Sequence, residues 1–189
     1  LNYLGHIYFS ADDHELAIYN LFGDFHRGKI GDELPKKIQD GIALHRRIDH
    51  FIDHHPRVQL LKNELYEDLP KVAPIAVDVV FDHLLATQWR EFHSTDLNQF
   101  LSIFFDTTAA FEPHLPLPFH EFLFQMRKHQ WLYHYPDELS IEKMANSISK
   151  RLSFENKLID LPTVYRTKKS AFKSAFSEFM VDAKSEFNY

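Results

Sequence analysis

An all-α fold, built as a single helical domain over residues 1–189, is what this sequence predicts, and three observations carry the prediction. Only 5 glycines and 9 prolines punctuate the chain, and helix-forming residues fill the stretches between them. Apolar residues recur at steps of three and four, the period of a helix with one face in a core. The 18 phenylalanines, in a chain that is 44% hydrophobic, supply enough apolar surface for one such core.

Taken in order, residues 2–9 (NYLGHIYF) read as a short helix despite Gly5. Ser10 with Asp13 three positions on is a capping signal for a helix over residues 12–24, which puts Ala17, Leu21 and Asp24 on one stripe. Gly28, Gly31 and Pro35 mark a connector. The next helix runs from Pro35 to Pro56 and carries Ile38, Ile42, His45, Asp49 and Ile52 at core-facing spacing. A shorter amphipathic piece leads to Pro70. One helix from Ala73 to Phe92 follows, with Ile75, Asp78, Asp82, Leu85 and Trp89 on a stripe.

Ser94 or Thr95 is the expected cap of a phenylalanine-rich helix whose core residues are Leu97, Phe100, Leu101, Phe104 and Phe105. Pro113 to Pro118 form a stiff loop. The helix after it gathers Arg127, Lys128, His129, Trp131 and Tyr135, with core packing the default for its aromatics. Ser140 opens another helix with Ile141, Met144, Ala145 and Ile148 inward. A last helix starts after Leu161-Pro162 and aligns Phe172, Phe176, Phe179, Met180, Ala183 and Phe187.

The chemistry sits where oil is expected. His45 and Asp49, four apart, lie one above the other on the apolar stripe of their helix, close enough to share a metal ion or a proton. An ionised carboxylate is costly to bury alone, so Asp49 needs a cation or a buried hydrogen-bonding partner. Asp24 ends one apolar stripe, Asp82 interrupts another with His83 beside it, and His6 is an outlying candidate. These oxygen and imidazole donors suit manganese, iron(II), magnesium or zinc. Arg27, Arg46 and Arg47 adjoin them in sequence, and guanidinium beside a metal suits a phosphate group, so metal-assisted phosphoester hydrolysis is the implied class. A purely structural His-Asp network fits the same spacing. Of the 13 histidines, seven fall in the first 55 residues, and the His54-His55 pair beside Pro56 reads as a solvated helix end.

Cysteine is absent, which excludes disulfides, thiolate metal sites and thiol nucleophiles. A net charge of -6 argues against broad nucleic-acid binding. No apolar run reaches the length of a membrane span, and residues 1–10 lack a signal peptide's basic start, so a cytoplasmic location is the expectation.

Three segments carry a resemblance: Gly23-Asp24-Phe25-His26-Arg27-Gly28, then Gly41 to Asp49 (GIALHRRID), then Asp78 to Leu85 (DVVFDHLL) with Trp89. With Asn2-Tyr3-Leu4-Gly5-His6 and Gln130-Trp131-Leu132 with Tyr135, they resemble the acyl carrier protein phosphodiesterase family from the N-terminus to about residue 151. The resemblance implies a helical fold divergent from the HD phosphohydrolases and a divalent metal, typically manganese. It also implies hydrolysis of the phosphodiester joining 4'-phosphopantetheine to a serine of holo acyl carrier protein. Carried onto this chain, it makes Asp24, His45, Asp49, Asp82 and His83 metal-site and catalytic candidates, with His6 beside them and Arg46 on the phosphate side. The chain departs from the family at Ala43 and Phe81, where familiar members have histidine and tryptophan. The acidic carrier protein as partner calls for a local basic landing site, for which Lys36-Lys37, Arg127-Lys128, Lys150-Arg151 and Arg166 to Lys173 are candidates. Two other readings fit the residues: an HD-like hydrolase of nucleotides or other small phosphoesters, and a non-catalytic helical protein that binds an acidic partner.

Overall fold

In a computed structural model, residues 1–110 and 115–187 are described. Among them are eleven α-helices and three short 3-10 turns, and no strand. The all-α expectation holds. Pro113 of the proline loop lies outside the described residues, and the loop ends earlier than predicted, with Leu117 and Pro118 already in the first turn of a helix that runs to Lys128.

The helices gather into two compact units, neither of them a continuous stretch of chain. One unit comprises Tyr3–Ile48 and Gln88–His134. It holds α1 (Tyr3–Tyr8), α2 (His14–Phe22), the first part of α3 (Lys36–His54), α6 (Trp89–Phe92), α7 (Leu97–Ala110) and α8 (Leu117–Lys128). Here α2 packs against α1 and α7. Leu97, Phe100, Leu101, Phe104 and Phe105 are all buried, as their spacing predicts. The caps differ from expectation. Asp13, not Ser10, caps α2 by accepting from the Leu16 N–H at 2.9 Å, while the Ser10 hydroxyl turns back to the His6 carbonyl. Asp96, not Ser94 or Thr95, accepts from the Asn98 N–H at the start of α7. In each case an ionised carboxylate outcompetes a neighbouring hydroxyl for the exposed amide.

The other unit comprises Leu1–Asn2, Asp49–Thr87 and Tyr135–Tyr189. It contains α4 (Pro56–Leu65), α5 (Ala73–Thr87), α9 (Leu139–Arg151), α10 (Leu161–Thr167) and α11 (Lys169–Phe187). Here α5 packs against α4, α9 and α11. Phe81 sits at its centre with no exposed surface, its ring 5.3 Å from that of Phe176 and 5.6 Å from that of Phe179.

Three helices predicted as continuous are broken: the one expected to gather Arg127 to Tyr135 ends at Lys128, with Trp131–His134 a separate 3-10 turn, and the other two break at a threonine. The Ala73–Phe92 stretch divides into α5 and α6, and the last helix divides into α10 and α11 at Lys168. At both breaks a threonine hydroxyl donates back into its own helix: Thr87 to the His83 and Leu84 carbonyls, Thr167 to the Thr163 and Val164 carbonyls. Such back-bonding competes with the helical ladder and bends it.

Helix α3 is unbroken across the cut between Ile48 and Asp49. Its stripe buries Ile38, Ile42, His45 and Ile52 and half-buries Asp49. It stops at His54 because Pro56 pushes the preceding residue into extended backbone, and His55 stands at φ -66 and ψ 126. His54 is exposed, but His55 is 4% exposed and lies 3.1 Å from Asp182, so the pair is not a solvated end as predicted.

Candidate metal centre

Two helices bring the donors together. α3 carries His45 and, one turn on, Asp49, so their separation is set by the helix itself. α1 adds His6. One ligand atom from each of these three residues lies within 4.8 Å of the others, and no other such group of three or more occurs among the described residues. The His6 and His45 rings are nearly parallel, with centroids 4.2 Å apart. Both imidazoles are almost fully buried, at 3% and 4% exposure.

A residue that the sequence pattern does not single out prepares His6. Asn20, fully buried on α2, donates its amide to the His6 carbonyl at 2.8 Å and to the Ser10 hydroxyl at 3.0 Å. Its carbonyl oxygen is thereby turned towards His6 Nδ1, 3.0 Å away. An oxygen there must accept, so Nδ1 carries the proton and Nε2 carries the lone pair a metal requires. This is the outer-shell bond that orients ligating histidines in metal sites. The available signal was an asparagine inside the apolar run AIYNLF.

Asp24 enters from the 3-10 turn Gly23–Phe25 that follows α2. Its Oδ1 lies 3.4 Å from His45 Nε2, and its carboxylate is half exposed. Gly23 permits this approach, because a Cβ there would collide with the His45 ring. Gly41 does the same lower on α3, where a Cβ would strike Tyr19. Arg46, exposed on α3, donates through Nη2 to the Gly28 carbonyl at 2.7 Å and to the His26 carbonyl at 3.3 Å. It therefore ties down the loop beyond Asp24, and neither of these bonds uses its Nε or Nη1 hydrogens. Phe25 extends from Asp24 into an aromatic strip, packing on Phe119 and Phe122 at 5.1 and 5.3 Å.

Asp82 and His83 are held differently. Asp82 is fully buried on α5 and accepts from the Asn2 N–H at 3.2 Å. His83 Nδ1 donates to the Tyr135 carbonyl at 2.8 Å, and its ring lies edge-on to Tyr165. Burial pushes its pKa below the ordinary histidine value, with the Tyr135 carbonyl pulling the other way. Neither residue belongs to the group of converging donors. Ala43 is exposed on α3, away from the buried stripe.

Two imidazole nitrogens and a carboxylate oxygen, one nitrogen already in ligand tautomer, fit a divalent cation of the manganese, iron or zinc kind. Fold and site thus define an all-α protein with a buried histidine-carboxylate centre flanked by an arginine-tethered loop. The chain belongs to the acyl carrier protein phosphodiesterase family, whose model matches residues 1–183. The match runs through α10 and most of α11, beyond the motifs that carry the resemblance. The acyl carrier protein phosphodiesterase of Enterobacter sp. (strain 638) is 29% identical over 98% of this chain and 99% of its own length. That of Yersinia pestis is 30% identical over 80% of this chain and 79% of the relative, and that of Serratia proteamaculans (strain 568) is 35% identical over 62% and 60%. No solved structure matches the chain. No helix among the described residues is long and apolar enough to cross a membrane.

Proposed function

We propose that this chain hydrolyses the phosphodiester of holo acyl carrier protein, releasing phosphopantetheine and apo carrier protein. The observation that carries the reading is the convergence of His6, His45 and Asp49 in a family member. These three residues would hold a divalent metal, manganese being the first candidate. Bound there, the metal supplies Lewis-acid activation of water and of a phosphoryl oxygen. Asp24, solvent-facing and beside His45, receives the proton that the attacking water gives up as its oxygen joins phosphorus. The bond from phosphorus to the serine oxygen breaks as that oxygen takes a proton from solvent water, and the half-exposed Asp24 returns its own proton to solvent. Arg46 faces the phosphate with the donors not spent on the loop carbonyls. His83, kept neutral by burial and bonded to a backbone carbonyl, supports α5 and is a poor source of the leaving-group proton.

Docking of an acidic carrier protein needs cations not already neutralised within the chain. Lys36 pairs with Asp40, and Lys37 with Asp13 and Glu15. Lys168 faces Glu64 and Asp68, while Lys169 pairs with Glu138. Arg127 and Lys128 end α8, the helix whose Phe119 and Phe122 pack on Phe25 beside Asp24, so this pair is the landing site we favour. Reversing both charges should raise KM for the carrier protein and leave hydrolysis of a small phosphodiester unchanged.

The deciding experiment follows phosphopantetheine release from holo acyl carrier protein by mass spectrometry, with manganese, with chelator, and with Asp49→Ala. Conversion only with metal and the intact carboxylate is the expected result. A folded, metal-loaded protein that leaves holo carrier protein intact would overturn the reading in favour of a small-phosphoester hydrolase.

A further inference from the structure

We propose a second cation site, independent of the function above, at the C-terminal end of α3. His50 and His54 stand one turn apart on the exposed face of the helix, with ring centroids 4.1 Å apart. A histidine pair at this spacing is a natural bidentate chelator, since both rings lie on one face and reach the same point. His54 Nδ1 donates to the His50 carbonyl at 2.8 Å, which leaves Nε2 with its lone pair outward. The structure thus prepares His54 as it prepares His6.

The carboxylate comes from α11. His50, His54 and His55 line a cleft of about 460 Å3 with Asp182 and Glu186. Asp182 Oδ2 lies 3.1 Å from Nε2 of the buried His55, whose Nδ1 is buried with no hydrogen-bond partner. The Nε2–H of His55 therefore anchors one oxygen of Asp182, and the other oxygen stays available to the cleft. A helix-end role, with imidazole serving a last carbonyl, accounts for His54 alone. It leaves unexplained why a second imidazole lies tilted against it and why a tethered carboxylate shares the cleft.

Two imidazoles and one carboxylate, completed by water, select Zn2+, Ni2+ or Cu2+ over Mg2+ and Ca2+, which prefer all-oxygen shells. The donors are less tightly gathered than His6, His45 and Asp49. Both imidazoles are exposed, so rotation of their side chains closes the set around an ion. A cation held there would link the end of α3 to α11.

The test strips the full chain of metal, loads it with Zn2+ alone, removes excess by gel filtration and measures bound zinc. Wild type should carry one more Zn2+ per chain than the double variant His50→Asn/His54→Gln. Asp182→Asn should weaken the same site by about 10-fold or more. Equal zinc content in wild type and double variant would overturn the proposal. Should the double variant misfold, Cu2+ added to the Asp49→Asn protein decides. Electron paramagnetic resonance should then show a copper centre coupled to two imidazole nitrogens, and no such centre means no site.

Discussion

Helices α3 and α5 present the same pattern in sequence, an apolar stripe interrupted by a carboxylate with histidine close by, yet the polar residues of the two meet different neighbours. On α3 the polar positions converge with His6 from another helix, and their ligand atoms face one another. On α5 the Asp82 carboxylate and the His83 ring each meet a backbone group, the Asn2 N–H and the Tyr135 carbonyl. Helical periodicity says which residues are buried, but what a buried polar group meets is decided by chain that is distant in sequence. A histidine whose Nδ1 is committed, to a carbonyl as in His83 or to a side-chain amide as in His6, has its tautomer fixed in either case. What sets His6 apart is its company, a ligand atom of the ring lying within 4.8 Å of those of His45 and Asp49.

The contrast can be broken by mutation, and the largest effect should come from Asp49→Asn. Removing a ligand should lower phosphopantetheine release by at least about 100-fold and abolish tight metal uptake, measured by elemental analysis of the purified protein. Next comes Asn20→Ala, which frees the His6 tautomer. We expect metal affinity to fall by about 10- to 100-fold, with KM for carrier protein little changed. Unaltered affinity in a folded Asn20→Ala protein would remove the basis for calling His6 prepared. Gly23→Ala should push the His45 ring aside at a cost of about 1–3 kcal/mol in a denaturant titration, with weaker metal binding alongside. Asp82→Asn retains an oxygen for the Asn2 N–H, so metal content should stay at the wild-type level. Zinc or manganese loss matching that of Asp49→Asn would show that the two helices serve one centre after all.

The smallest effect concerns pH. Burial lowers the folded-state pKa of His83 and also that of His14. The unfolded chain therefore binds the proton first as pH falls through about 6.5. Stability is complete above that value and declines below it, until the folded histidines protonate as well. Thermal melts from about pH 8 to about pH 5 should show the decline, and His83→Gln should flatten it.

How much was legible follows the same division. The α3 stripe, the phenylalanine faces of α7 and α11, and the short first helix could be read directly, because burial of apolar side chains repeats with the helix period. Helix ends were harder to place. Asp13 and Asp96 displaced nearby hydroxyls as caps, and Thr87 and Thr167 ended helices that their apolar pattern would have continued. In the centre itself, His6, His45 and Asp49 were all among the candidates, but spacing could rank only His45 and Asp49, which share a helix. The role of Asn20 and the burial of His55 depend on partners 14 and 127 residues away, which no local pattern encodes.

The unequal lengths of α1 and α3 have a kinetic consequence. Nineteen residues of α3 hold two of the three donors at a fixed pitch, whereas His6 rides on a helix of six residues. A helix that short does not persist by itself in water, and α1 depends on packing and on the amide of Asn20 to stay in place. With a cation held there, transient loosening of α1 would unclip one donor while leaving the other two registered, a door for exchange of the ion without unfolding the remainder of the chain.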